Sequence, residues 1–315
     1  MAQYFLGVDG GQSSTTALVA DETGQVLGMG RGGPCNHVSA EEARAKFNAA
    51  IGGCVAQALE AAGLSDDTEF EGAVLGFSGG PADKETLVHE LFTIRHALVT
   101  NDALIALVGA TAGAPGVITI AGTGSISYGR NADGKVARVG GWGYVFGDEG
   151  GGFDLTRQAL RAALRQEEGW GPETMLYSLL LEATGASSAN DLLHRCYTPA
   201  MPRPKIAALS QVVERAAAAG DLIAGDIMDV AAQQLASLAI AARRMIFADG
   251  VPARISYIGG VFRSERIRAR FETLVRAQAG NEVAPPRYGP AAGAVIEALR
   301  IAGVDAELRG APEEK

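Results

Sequence analysis

Two stretches of similar design decide the fold of this chain: LGVDGGQSSTTALV at residues 6–19 and VITIAGTGSISY at residues 117–128. Each is an apolar run, a glycine-rich turn and a second apolar run, a pattern typical of a β-hairpin. A polar turn and a third apolar run follow in both cases, so each stretch predicts a three-stranded meander. The repetition indicates an α/β protein of two similar domains, with a ligand-binding cleft expected between them.

The start of the second meander sets the predicted domain boundary. We expect an N-terminal domain over residues 1–113 and a C-terminal domain over residues 114–288, with a last helix at 289–303 that packs back on the first domain. Apolar residues at helical spacing predict one helix over residues 41–62. After Gly152 the pattern is mostly helical, and the predicted helices cover residues 153–167, 172–183, 204–219 and 222–249.

Composition excludes several classes of protein. The 315 residues carry 27 basic and 36 acidic side chains, a net charge of −9, and no block of Lys or Arg. We therefore expect no nucleic-acid partner and no anionic membrane surface. Three isolated cysteines without a CxxC pair suit a reducing cytoplasm. The N-terminus lacks the pattern of a signal peptide, and no long uncharged apolar stretch predicts a membrane span.

The first glycine turn is a candidate phosphate site. Gly10 and Gly11 let the backbone approach a phosphate closely, so that successive amides can point at its oxygens. Asp9, at the predicted strand end, is a candidate Mg²⁺ ligand, and Ser13 adds a hydroxyl donor. The alternative is an ordinary tight hairpin, and the stretch is not a GxxxxGK[ST] phosphate loop.

The second glycine turn repeats this design with Gly122, Thr123 and Gly124. By itself this turn is also compatible with a plain hairpin. Two copies of one unusual hairpin in a single chain favour a site that holds a nucleotide's phosphates.

A carboxylate follows a buried strand at Asp102. One interpretation is a helix N-cap, which Asp provides well. The other is a general base that accepts a proton from a substrate hydroxyl. The two are compatible, because residues at strand ends often border ligand sites.

The least ordinary stretch is GGWGYVFGDEGGG at residues 140–152, with seven glycines in thirteen positions. It is typical of a loop that approaches a ligand closely and offers it an aromatic platform and carboxylates. The alternative is a flexible surface loop, but an exposed Trp142 ring would be costly, so we expect that ring to be covered. Two further segments are weaker candidates for ligand binding. Asn36 lies in a loop whose composition is also typical of a solvent-exposed loop, and the Gly259–Gly260 turn follows a predicted strand.

Together these segments resemble the N-acetylglucosamine kinase family, in the BadF/BadG ATPase-like branch of the actin/hexokinase-type ATPase superfamily. The GTGS and GGWG…GDEG pieces are the most specific. The segments that carry the resemblance are GVDGGQSSTTA, PCNH, LGFSGG, TNDA, ITIAGTGSISYG, GGWGYVFGDEGGG, YIGGVF and YGPAAGAVIEAL.

The resemblance implies two ribonuclease-H-like domains that close on ATP and Mg²⁺, and a protein that is often a homodimer. Asp102 would be the base that activates the 6-hydroxyl of the sugar. The implied sugar contacts are Asn36, Asp102, Gly141, Trp142, Gly143 and Asp148. The nucleotide would contact Ser13 and Thr123, with Ala217 and Gly260 toward the adenine, and Asp9 would face the Mg²⁺.

The first hairpin departs from the family, because relatives often have three glycines and a Thr where this chain has GGQS. The amino sugar stays open between N-acetylglucosamine, glucosamine and N-acetylmuramic acid. A dehydratase-activating ATPase is a further alternative, but it needs cysteines that hold an iron–sulfur cluster across a dimer. A non-catalytic sugar sensor is disfavoured, since no helix-turn-helix pattern precedes Tyr4.

Overall fold

The computed structural model describes residues 2–11, 14–35, 40–78 and 84–313. The chain divides into two compact units. The first contains Met1–Gly116 together with Pro285–Lys315, and the second contains Val117–Ala284. None of the described helices is long and apolar enough to cross a membrane.

A five-stranded mixed sheet forms the centre of the first unit. Its strands are β1 (Tyr4–Gly10), β2 (Thr15–Asp21), β3 (Val26–Gly32), β4 (Phe70–Phe77) and β5 (Ile94–Asn101), in the order β3-β2-β1-β4-β5. The first three strands form the predicted antiparallel meander, and β4 and β5 run parallel to β1. Gly10, Phe77 and Asn101 are in register, so β1, β4 and β5 end at one edge of the sheet.

Four helices of this unit follow the strands in sequence. They are α1 (Ala40–Phe47), α2 (Gly53–Ala62), α3 (Glu85–Leu91) and α4 (Asp102–Thr111). The helix predicted over residues 41–62 is interrupted by a π-helical turn at Asn48–Gly52. Gly52 and Gly53 meet at this point, and glycine is a weak helix former.

The second unit repeats this architecture. Its strands are β6 (Gly116–Ala121), β7 (Ser125–Arg130), β8 (Val136–Gly140), β9 (Ala253–Ile258) and β10 (Asn281–Val283), in the order β10-β9-β6-β7-β8. The meander β6-β7-β8 corresponds to β1-β2-β3, and β9 and β10 correspond to β4 and β5. The predicted duplication of the meander is therefore present in the structure.

Seven helices belong to the second unit. They are α5 (Gly152–Glu167), α6 (Leu176–Thr184), α7 (Ala189–Cys196), α8 (Arg203–Ala208), α9 (Ser210–Ala218), α10 (Leu222–Ile246) and α11 (Glu265–Arg276). The sequence pattern predicted neither α7 nor the three-residue strand β10. It also predicted one helix over residues 204–219, where the chain forms α8 and α9 with Leu209 between them.

The last helix, α12 (Pro290–Ile301), packs in the first unit against β1 and α4. Small residues make this packing possible. A Cβ atom on Gly293 would lie 2.0 Å from the carbonyl oxygen of Ile105, and one on Gly109 would lie 2.2 Å from that of Gly289. Gly293 on α12 and Gly109 on α4 thus allow the two helix backbones to approach closely.

Candidate functional site

The hairpin between β6 and β7 packs against the N-terminus of α5. The amide of Gly152 donates to the Gly122 carbonyl at 2.8 Å, and the amide of Phe153 donates to the Thr123 carbonyl at 3.0 Å. In a trans peptide the C=O of one residue and the N–H of the next point in opposite directions. The amides of Thr123 and Gly124 therefore point away from α5, side by side.

These two amides have no acceptor among the described residues. Adjacent backbone amides that point the same way form an anion-binding concavity, and the positive end of the α5 dipole lies behind this one. A Cβ atom on Gly122 would meet no atom of the described chain within 4 Å, so the space in front of Gly122 is open. The turn therefore has the geometry of a phosphate site.

A cavity of about 500 Å³ within the second unit begins at this turn. Gly122, Thr123 and Gly260 line it, three of the residues predicted to contact the nucleotide. Ala217 lies one turn beyond Glu214 on α9 and is not among the lining residues. The rest of the wall consists of Gly152, Leu155, Pro204, Ala207, Ala208, Ser210, Gln211, Val213, Glu214, Met228, Val261, Arg263, Ser264 and Ile267.

The Gly259–Gly260 turn forms one side of this cavity because of a close backbone approach. Gly259 has a φ of 114°, and a Cβ atom there would lie 2.3 Å from the carbonyl oxygen of Ala121. Only glycine suits this position. The ends of β9 and β6 are thereby held side by side, and the residues that follow them, Gly260 and Gly122, line the cavity.

The corresponding turn of the first unit is partly described. The Gly11 amide donates to the Ser14 carbonyl at 3.0 Å, and the Cys35 amide donates to the Gly11 carbonyl at 3.0 Å. A Cβ atom on Gly10 would lie 2.4 Å from the Phe77 ring, so glycine is required there as well. Ser13 lies outside the described residues.

Two carboxylates lie at the edge of the first sheet where β1, β4 and β5 end. Asp9 is the penultimate residue of β1, and Asp102 directly follows β5; both are half-buried. Asn101 rather than Asp102 is the N-cap of α4, since its side chain accepts from the Leu104 amide at 2.9 Å. Capping therefore does not account for an acidic residue at position 102. Asn36 lies outside the described residues.

Asp9 has the chemistry of a magnesium ligand. No group of three or more His, Cys, Asp or Glu side chains that suits a metal ion occurs in the described part of the chain. Mg²⁺ does not require such a group, because it commonly binds through one or two carboxylates and keeps several waters. A single strand-end carboxylate therefore fits Mg²⁺ better than a metal held by protein ligands alone.

The loop that connects β8 to α5 is shaped by left-handed backbone conformations. Gly140, Gly141, Gly143 and Gly150 all have φ between 71° and 80°, which explains why glycine recurs there. The expectation that Trp142 is covered is wrong, because 69% of the residue is exposed. Its ring is contacted instead by the Arg138 guanidinium, 5.3 Å from the ring centre. Trp142, Tyr144, Val145 and Phe146 form an exposed aromatic loop (residues 142–146).

Asp148, by contrast, is 5% exposed and has a left-handed φ of 64°. Its carboxylate accepts from the Ser125 amide at 3.2 Å and forms an ion pair with Arg203. Position 124 must be glycine, since a Cβ there would lie 2.4 Å from the Asp148 carboxylate. Asp148 thus joins the phosphate-type turn to the loop after β8.

Comparisons with known proteins agree with this geometry. Residues 6–298 match the BadF/BadG/BcrA/BcrD ATPase family. The chain belongs to this family. An N-acetylmuramic acid/N-acetylglucosamine kinase from Clostridium acetobutylicum is 33% identical over 246 residues, 74% of this chain and 77% of that protein. An N-acetyl-D-glucosamine kinase from Dictyostelium discoideum is 34% identical over 252 residues, 75% of this chain and 78% of that protein.

A solved structure shows the same fold. It is that of a candidate N-acetylglucosamine kinase from Chromobacterium violaceum, 25% identical, with a TM-score of 0.74 over 93% of this chain and 98% of that one. The family resemblance and the predicted α/β fold class of the actin/hexokinase type are thereby confirmed.

None of the three cysteines of this BadF/BadG-type ATPase forms a disulfide. Cys35 and Cys54 are buried in the core of the first unit, and Cys196 is half-buried on α7. Burial raises the pKa of all three thiols, that of Cys54 to about 11. A raised pKa disfavours the thiolate, which is the form that binds iron.

Several residues around this site were not predicted from the sequence. Arg157 donates to the Tyr144 carbonyl at 3.1 Å and forms an ion pair with Asp154. Arg203 pairs with Asp148 from 55 positions along the chain, and Gln211, Glu214 and Arg263 line the cavity. No local motif marks these side chains, because long-range packing brings them to the turn.

Proposed function

We propose that this member of the BadF/BadG/BcrA/BcrD ATPase family transfers the γ-phosphoryl group of ATP to the 6-hydroxyl of N-acetylglucosamine. The amino-sugar class is supported by the names of two relatives at 33% and 34% identity. The observation that carries the nucleotide part is the pair of adjacent amides, Thr123 and Gly124, beside an open cavity.

In this proposal the turn at residues 122–124 binds a phosphate, and the cavity receives the rest of the nucleotide. The two amides donate to phosphate oxygens, and charge-assisted hydrogen bonds of this kind are the strong ones. Gly260 leaves room for the flat base, and the polar cavity residues Gln211 and Glu214 offer acceptors to the ribose or the base. At the first turn, Gly10 and Gly11 would let the backbone approach a phosphate and Ser13 would add a hydroxyl donor, while the Gly11 amide itself is bonded to the Ser14 carbonyl.

Phosphoryl transfer depends on positioning and charge neutralisation more than on covalent help. Asp9 would hold Mg²⁺, which neutralises phosphate charge when it is bound. Asp102 would accept the proton of the attacking hydroxyl as the oxygen forms its bond to phosphorus. Its place at the start of α4, with the N-cap role taken by Asn101, supports this assignment.

The sugar would lie against the loop after β8. The exposed Trp142 ring offers a flat apolar surface to one face of a pyranose, and Gly141 and Gly143 allow the backbone to approach the sugar. Asp148, Asn36 and Asp102 would accept hydrogen bonds from hydroxyl groups. An apolar ring exposed in the free protein is what a stacking platform requires.

Glucosamine and N-acetylmuramic acid are alternative substrates, since none of the described residues is marked as a ligand of the acetamido group. A dehydratase-activating ATPase is the weaker alternative, because two of the three thiols are buried in the core and all three have raised pKa values. We also propose a cytoplasmic location, since ATP and reduced thiols belong to that compartment. The homodimer is proposed from the family resemblance alone.

The experiment is an ADP-release assay with MgATP over glucose, glucosamine, N-acetylglucosamine, N-acetylmuramic acid and N-acetylmannosamine. We expect the highest kcat/KM with N-acetylglucosamine. Equal or higher kcat/KM with glucosamine or N-acetylmuramic acid favours that alternative. No stimulation by any sugar contradicts a sugar kinase.

A further inference from the structure

Arg203 occupies an unusual position in the second unit. Its guanidinium forms an ion pair with the buried carboxylate of Asp148. It also lies over two aromatic rings, 5.1 Å from the centre of Tyr144 and 5.9 Å from that of Phe153. One side chain thus contacts two residues of the loop after β8, Tyr144 and Asp148, and the first turn of α5.

The same arginine is the first residue of α8. Its neighbours Pro204, Ala207 and Ala208 form part of the wall of the 500 Å³ cavity. Asp148, its ion-pair partner, accepts from the Ser125 amide directly after the phosphate-type turn. Arg203 is therefore linked to the cavity wall through the backbone of α8 and to the turn through Asp148.

The aromatic loop is held from two sides. Arg203 covers the ring of Tyr144, while Arg157 on α5 donates to the carbonyl oxygen of Tyr144 at 3.1 Å. Tyr144 is two residues from Trp142, the ring that the proposed function places against the sugar. A displacement of α8 by a nucleotide would therefore reach the aromatic loop through Arg203.

We propose that Arg203 is a positioning residue that couples nucleotide binding in the cavity to sugar binding at the aromatic loop. The inference rests on the proposed function, because it takes the loop to be the sugar site. Coupling of this kind is reciprocal: a nucleotide that tightens sugar binding is itself bound more tightly when sugar is present. Asp148 has a left-handed backbone conformation, which is costly for a residue other than glycine. Such a conformation persists where the surrounding contacts hold the residue in place.

The test measures the dissociation constant of N-acetylglucosamine by calorimetry, with and without a saturating non-hydrolysable ATP analogue and Mg²⁺. The ratio of the two constants is the coupling factor. The proteins are the wild type, Arg203→Gln, Arg203→Lys and a matched control, Arg195→Gln. Arg195 also pairs with an aspartate in the same unit, Asp191, but on an exposed helix surface.

We expect a coupling factor of about 5 or more in the wild type, within the usual range for linked sites. Arg203→Gln should reduce it to below about 2, and Arg203→Lys, which keeps the charge but not the planar group, should give an intermediate value. Arg195→Gln should behave as the wild type. A merely structural role for Arg203 would weaken both ligands and leave the ratio unchanged.

If Arg203→Gln does not fold, Tyr144→Leu provides the second variant, since it removes the ring under the guanidinium and keeps the ion pair. A wild-type coupling factor in folded Arg203→Gln, or in Tyr144→Leu, overturns the inference. If the inference about Arg203 fails but the proposed function holds, the wild type still phosphorylates the sugar, so the two failures are distinguishable. A wild type that phosphorylates no sugar overturns both.

Discussion

Replacing Gly122 by Ala separates a phosphate site from a plain hairpin turn. The structure leaves open space where the new methyl group would lie, because no atom of the described chain comes within 4 Å of it. Gly122 also has no left-handed φ, so alanine fits its backbone conformation. Loss of glycine's freedom in the unfolded chain should even stabilise the protein by about 0.4–1 kcal/mol.

The methyl group should nevertheless weaken nucleotide binding, because it occupies open space next to the Thr123 amide, which the proposed function assigns to a phosphate oxygen. A hydrogen bond to a charged group contributes about 1.5–3 kcal/mol, so loss of one phosphate contact should raise the Kd for MgATP about 10- to 150-fold. Calorimetry gives the Kd, and a urea unfolding curve gives the stability of the same preparation.

Gly124→Ala is the matched comparison within the same turn. Its Cβ would lie 2.4 Å from the buried Asp148 carboxylate, so the change should cost about 1–3 kcal/mol of stability through overpacking. We expect a lower urea midpoint for Gly124→Ala and an unchanged or higher one for Gly122→Ala. An unaltered Kd for MgATP in Gly122→Ala would refute the phosphate assignment.

Three further changes test other parts of the site. Asp102→Asn should lower the rate of sugar phosphorylation by about 10²- to 10⁴-fold while the Kd for ATP stays nearly constant; near-normal turnover removes the base assignment. Trp142→Ala should raise the KM for the sugar about tenfold and that for ATP much less, because the exposed ring is then lost from sugar binding only; the reverse pattern assigns the loop to the nucleotide. Because burial raises the pKa of Cys54 from 9.0 to about 11, the native thiol should resist alkylation at pH 8. The stabilisation of the folded protein by the protonated Cys54 thiol should be complete below pH 9 and should be lost as the pH rises toward 11. Cys54→Ser should remove that part of the alkaline loss seen in urea unfolding, and an unchanged alkaline loss in Cys54→Ser, or ready alkylation of the native thiol, would contradict this.

Features with a local sequence signal were predictable. Each meander has a sequence of alternating apolar runs and polar or glycine-rich turns. The left-handed backbone at Gly140, Gly141 and Gly143 favours glycine, which the sequence has at all three positions. The exposure of Trp142 was not predictable, because burial depends on which distant residues cover the loop. The three-residue strand β10 carries too few residues for a periodic pattern.

The side chains that line the cavity were also not predictable from the sequence. Gln211 and Glu214 lie on one helix and Arg263 lies some fifty residues further along the chain, yet all three line a single space. The ion pair of Arg203 with Asp148 likewise depends on the packing of α8 against α5. Sequence patterns thus indicate the glycine turns but not the side chains that surround them.

Phosphorus NMR of a reaction with MgATP and N-acetylglucosamine identifies the hydroxyl group that receives the phosphoryl group. We expect ADP and a sugar phosphomonoester whose phosphorus is coupled to the two protons at C6, formed in equal amounts, and no such product from the 6-deoxy sugar. ADP accompanied by free phosphate alone, or a phosphate on another hydroxyl, would contradict the proposed function.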